Sequence, residues 1–132
     1  MSSLSLGPDR DRVLNHAAEL VSGIWADFDE ARDSHPMTSP GLEKILKEQL
    51  PQDPSDPIAA LDFAAEALDS SLTQARPRYL AYIGSSDLQI GALGDLLAHS
   101  HDQNLALYAR TASEIERQTI TWLGESLGYN NA

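Results

Sequence analysis

The stretch Asp9–Arg32, DRDRVLNHAAELVSGIWADFDEAR, sets the fold class. Val13, Leu14, Ala17, Leu20, Val21, Ile24, Trp25 and Phe28 recur at spacings of three and four, which makes one apolar stripe along a helix. The opposite face carries Arg12, Asn15, Glu19, Ser22 and Asp29. The helix is predicted to stop before His35-Pro36, because a proline pushes the preceding residue out of the helical region. A helix of this length stands clear of a small core. Its stripe therefore needs a partner surface, either on its own domain or on another chain.

Outward from this helix the chain reads as further helices separated by Pro- and Ser-rich joints. Ser39 can cap a short second helix with Pro40 in its first position, and Leu42, Ile45, Leu46 and Leu50 form its apolar face. The stretch Pro51–Pro57, PQDPSDP, breaks it. Asp56 then caps a third helix, with Ile58, Leu61, Phe63, Ala64, Ala65, Leu68 and Leu72 apolar, predicted to end before Arg76-Pro77. Tyr79-Leu80-Ala81-Tyr82-Ile83-Gly84 is a short extended run, long enough for a strand but too short to prove one. Ser85 or Ser86 can cap a fourth helix bearing Leu88, Ile90, Leu93, Leu96 and Leu97. Gly91 and Gly94 weaken that helix by ~1 kcal/mol each against alanine, and they admit another backbone closely. Asn104 falls in the loop that follows. Thr111 and Glu114 form a T-x-x-E capping box for a fifth helix, and Gly128 stands at its C-terminal cap.

Composition narrows the function. The 132 residues fit one domain or a piece of one, and a hydrophobic fraction of 42% is ordinary for a globular protein. A net charge of −11 disfavours nucleic acid as a partner, since its phosphates would be repelled. With no cysteine there is neither a disulfide nor a thiolate metal site. No apolar run is long enough to span a bilayer, and the N-terminus lacks the basic and apolar regions of a secretory signal. We therefore expect a cytoplasmic protein.

Motifs for phosphate loops, dinucleotide binding, zinc proteases and calcium loops are absent. His99 and His101, with Asp95 and Asp102 nearby, could suggest a metal site, but positions two apart on a helix do not share a face. Asp69-Ser70-Ser71-Leu72 faintly matches the Asp-Ser-Leu site of acyl carrier proteins. There the serine opens a helix, whereas here it closes one. Lys44 and Lys47, the only lysines, lie on the short second helix as a solvated face.

One ordered series remains. Arg78-Tyr79-Leu80-Ala81-Tyr82-Ile83 follows Pro77, then comes the small turn Gly84-Ser85-Ser86. Gly94-Asp95-Leu96-Leu97-Ala98 and Asp102-Gln103-Asn104 come next. Thr111-Ala112-Ser113-Glu114-Ile115-Glu116 leads to Trp122-Leu123-Gly124. In this order the blocks resemble the N-terminal segment of the group II pyridoxal-phosphate-dependent amino-acid decarboxylases, the aromatic amino-acid, histidine and glutamate decarboxylases. With the first helix and the Pro-rich joint included, the resemblance covers nearly the whole chain.

The resemblance implies a mainly α fold, the helical N-terminal segment of a fold type I pyridoxal-phosphate enzyme, with one short extended run near 79–83. Residues 1–50 would be helices that wrap the neighbouring subunit. Residues 51–132 would lead into a cofactor-binding domain that this chain lacks. By position Tyr82, Ile83, Gly84 and Ser85 would line the substrate pocket, and Asn104 would reach it across the interface. The family usually has a proline in the turn before the last helix; Arg110 stands there instead, which bears on the turn and on Tyr108 beyond it. The Gly-rich phosphate loop, the stacking histidine, the aspartate for the pyridine nitrogen and the Schiff-base lysine all come later in the family, so the chain alone should be inactive.

We accordingly expect a small subunit of a split decarboxylase-like lyase, in a heterodimer or heterotetramer. A larger partner chain would hold pyridoxal 5'-phosphate and bind an amino-acid-like substrate. Met1 at the start, and the polar tail Asn130-Asn131-Ala132 just past a capped helix, lead us to expect a natural subunit rather than an excised fragment. The alternative is a non-enzymatic acidic helical interaction or carrier protein.

Overall fold

A computed structural model describes residues 5–30, 37–50, 52–81, 88–102, 104 and 109–129. Among these a single 3-10 turn, Gly7–Asp9, precedes five α-helices: α1 (Arg10–Asp29), α2 (Pro40–Leu46), α3 (Pro57–Asp69), α4 (Gln89–His101) and α5 (Thr111–Ser126). No strand occurs among the described residues, so the mainly α expectation holds. Tyr79, Leu80 and Ala81 are irregular, with Leu80 95% exposed. A strand needs a neighbour to satisfy its backbone, and none is present there among the described residues.

The chain forms two compact units, residues 1–86 and 87–132. In the first, α1 packs on α3 and α2 lies against α3. His16 on the second turn of α1 meets Asp62 on the second turn of α3, Nε2 to Oδ1, at 2.6 Å. Phe28, near the end of α1, lies under the guanidinium of Arg76 beyond the end of α3, 5.5 Å from ring centroid to Cζ. The contacts thus run in the same order along both helices. Among the described residues Val13 and Leu42 are the buried hydrophobic side chains, at 7% and 3% exposure. Along α1, Ala17, Leu20, Ile24 and Phe28 are half-buried beside Val13.

The helix starts of this unit follow from local chemistry. Ser39 is extended and its Oγ accepts from the Leu42 amide at 3.1 Å, with Pro40 in the first turn. The same hydroxyl donates to Glu66 Oε1 at 2.8 Å, which ties the start of α2 to α3. Asp56 is likewise extended and accepts from the Ile58 amide at 2.7 Å, ahead of Pro57. Such side chains satisfy amides that the helix itself leaves unbonded.

The helix ends differ from expectation. α1 ends at Asp29 rather than near Arg32, which lies outside the described residues. α2 ends at Leu46, because the Lys47 and Glu48 amides tighten onto the Lys44 and Ile45 carbonyls at 3.2 and 3.0 Å. Leu50 is therefore off the helix and 81% exposed. α3 ends at Asp69, with Ser70 as its cap, and Leu72 is 74% exposed. Ser71 Oγ donates back to the Ala67 carbonyl at 2.8 Å, and Arg76 pairs with the Asp69 carboxylate. These bonds close the helix well short of Arg76-Pro77.

In the second unit α4 starts with Leu88 as its cap and without a side-chain cap bond. Leu88 therefore precedes the helix instead of lying on it, and Ser85 and Ser86 lie outside the described residues. Asp102 ends α4 in the left-handed region, φ 46° and ψ 54°. α5 also departs from the capping box. Arg110 is its N-cap at φ 51° and ψ −114°, Thr111 is already helical, and no side chain makes the cap bond. Ser113 Oγ instead accepts from the Ala109 amide at 2.9 Å. The C-terminus fulfils the expectation for glycine. Gly128 has φ 85°, its amide bonds the Glu125 carbonyl at 3.0 Å, and the Tyr129 amide bonds the Gly124 carbonyl at 2.9 Å. This pair of bonds is the Schellman termination.

Candidate functional site

Of the five residues expected at a substrate pocket, Tyr82, Ile83, Gly84 and Ser85 lie outside the described residues. Asn104 is exposed, two residues past the left-handed turn at Asp102. The grouping of the five therefore lies outside the described residues.

Within the second unit an open groove runs between the end of α4 and the start of α5. Leu97, Ala98, Ala109, Ala112 and Ile115 give it an apolar lining, and His101, Arg110 and Glu116 supply polar groups. Arg110 was legible in the sequence only as the residue standing in the place of a proline. A proline could not occupy its present backbone, since the ring fixes φ near about −65°.

The histidines at the end of α4 are engaged locally. His99 Nδ1 lies 2.8 Å from the Asp95 carbonyl and His101 Nδ1 lies 3.0 Å from the Leu97 carbonyl. α4 runs through both residues, so their side chains leave it on different faces. Among the described residues no three metal-binding side chains gather. Ser70 closes α3 and so lacks the helix-opening setting of a carrier serine.

A covalent aldehyde cofactor requires a lysine held with its charge suppressed by burial or by a neighbouring cation. Lys44 and Lys47 do not fit. Both are exposed, and Lys47 pairs with Glu43 one turn earlier, its side chain 71% exposed. These residues would not hold pyridoxal phosphate.

Comparison with known proteins shows what the chain is similar to. The chain is 30% identical over 136 aligned residues to a tyrosine decarboxylase of Oryza sativa subsp. japonica, covering 96% of this chain and 25% of the relative. It is 26% identical over 131 residues to an aromatic-L-amino-acid decarboxylase of Bacillus atrophaeus, covering 96% of this chain and 27% of the relative. The chain thus spans about a quarter of the length of the curated relatives it matches. No protein-family profile matches it, and no solved structure does. The similarity to decarboxylases extends over nearly all of this chain, as expected of a group II N-terminal segment.

Proposed function

We propose that this chain is the N-terminal subunit of a pyridoxal-phosphate-dependent decarboxylase-like enzyme whose catalytic groups reside on a larger partner chain. One observation carries the reading: 96% of the chain is similar to two decarboxylases, over a segment that corresponds to 25–27% of their length. Lys44 and Lys47 are exposed and do not suit a cofactor anchor, so the anchoring lysine is to be sought elsewhere. When bound to that partner, the cofactor would supply the electron sink for loss of carbon dioxide from an amino acid.

This chain would then contribute surface and pocket walls. Tyr82, Ile83, Gly84 and Ser85 would line the substrate cavity, and Asn104 would enter it across the interface. The second unit offers apolar faces to the larger chain. Leu96 and Leu97 on α4 are 56% and 64% exposed, and Trp122 and Leu123 on α5 are 60% and 59% exposed. An obligate contact resembles a core cut in half, and side chains of this kind are its material.

The test is co-expression with a candidate larger chain that carries the cofactor lysine. The two should co-purify in fixed stoichiometry, show the visible absorbance of bound pyridoxal phosphate, and release carbon dioxide from an aromatic amino acid only together. A chain that stays separate from every such candidate, with full activity in the larger chain alone, overturns the reading.

A further inference from the structure

The first turn of α5 departs from two local rules at once. Arg110 has φ 51° and ψ −114°, and the Ala112 amide bonds the Ala109 carbonyl at 3.1 Å. That is the first central place of a type II′ turn, where glycine, asparagine and aspartate predominate because other side chains are strained there. An arginine stands in it. One residue on, Thr111 and Glu114 have the identities and spacing of a capping box, yet no side chain makes the cap bond. The chain thus lacks the residue that its present turn asks for, and it holds the two that another start would use.

Three bonds hold the observed start. The Ala112 amide bonds the Ala109 carbonyl, the Glu114 amide bonds the Arg110 carbonyl at 3.1 Å, and the Ala109 amide bonds Ser113 Oγ at 2.9 Å. Glu114 meanwhile pairs with Arg117 on its own helix. When Thr111 turns extended, these three bonds open. Thr111 Oγ1 then accepts from the Glu114 amide, and a Glu114 carboxylate oxygen accepts from the Thr111 amide. The strain at Arg110 is released with the turn. The Ala112 amide turns to water, as amides of a first helical turn commonly do. Arg110 and Thr111 are exposed, so their backbone moves into open solvent, and the helix beyond Ala112 stays as it is.

We propose that the start of α5 is a two-state device, in which the strained turn at Arg110 exchanges with a capping box made by Thr111 and Glu114. The box is the minor state, at about 1–10% of the population. Ser113 holds the strained state, because its bond to the Ala109 amide exists only there. Arg110 and Thr111 line the open groove between α4 and α5 together with Leu97 and Ile115, so the exchange moves one wall of that groove. The inference goes beyond the decarboxylase reading and does not rest on it, because it concerns this chain by itself. Its failure would leave that reading standing, and the reverse is also true.

The experiment is nuclear magnetic resonance of the full chain without any partner. Relaxation dispersion should report exchange on the microsecond-to-millisecond scale at the Ala112 and Glu114 amides. The carbon shifts of Thr111 should move along one line between helical and extended values across a set of variants. Ser113→Ala removes the bond that favours the strained state, and should raise the extended population ~5-fold. Arg110→Gly relieves the strain without changing state, and should lower it ~5-fold. Thr111→Ala should abolish the exchange at the Glu114 amide, whereas Glu114→Gln should keep it, since glutamine also serves a capping box. Circular dichroism should show the same helix content in every variant. Flat dispersion profiles at Ala112 and Glu114, with Thr111 shifts that neither Ser113→Ala nor Arg110→Gly moves, overturn the proposal. So does exchange at Glu114 that survives Thr111→Ala.

Discussion

Arg110 and Gly128 both hold a backbone with positive φ, at 51° and 85°, and they predict opposite outcomes on substitution. At φ 51° and ψ −114° a side chain bearing Cβ is strained, at a cost of order ~1–3 kcal/mol. Arg110→Gly should therefore raise the stability of the second unit by about 1 kcal/mol once the greater freedom of unfolded glycine is offset. The urea midpoint of the full chain, and amide exchange at the start of α5, would record the gain. Arg110→Pro should move exchange there the other way, because its ring excludes positive φ. Gly128 already suits its place. A Cβ added there meets no atom within 4 Å, so Gly128→Ala is penalised by backbone strain alone. It should lower stability by about 1 kcal/mol and speed exchange of the Tyr129 amide, which the Schellman bond protects.

At the scale of elements, the Ser39 hydroxyl both caps α2 and holds it to α3. Ser39→Ala removes the bond from the Leu42 amide and the bond to Glu66 together. It should cost about 1–2 kcal/mol, the upper range for a lost cap, whereas Glu66→Gln keeps an acceptor and should cost under about 0.5 kcal/mol. Leu42→Ala should cost about 2 kcal/mol or more, since Leu42 is only 3% exposed, and a thermal melt of each variant orders the three. The starts of α2 and α3 were legible because Ser39 and Asp56 bond amides two or three residues away, with a proline fixing the first turn. The end of α5 was legible for the same reason, through Gly128. The start of α5 was misread because T-x-x-E promises a cap only if the threonine is extended. The backbone at Arg110 makes Thr111 helical instead. The ends of α2 and α3 were misread because their closure depends on the Lys44 and Ile45 carbonyls and on Arg76 reaching back to Asp69. The His16–Asp62 pair spans 46 positions, and no local pattern announces it. As for the candidate site, its residues came from ordered similarity, and of the five only Asn104 falls among the described residues.

The two compact units are not equally well covered. The first has Val13 and Leu42 as buried residues, with side-chain ties at His16–Asp62, Ser39–Glu66 and Arg76–Asp69. In the second no helix has a buried residue. Local opening is easiest where few apolar contacts resist it. In the chain alone, amides of α4 and α5 should therefore exchange at least ~10-fold faster than those of α1 and α3. Adding the larger chain should slow exchange chiefly in 89–101 and 111–126. Mass spectrometry of hydrogen exchange on the full chain, with and without the partner, separates these effects. Equal protection of both units in the chain alone would mean that α4 and α5 are already covered, and the surface ascribed to the larger chain would lose its basis.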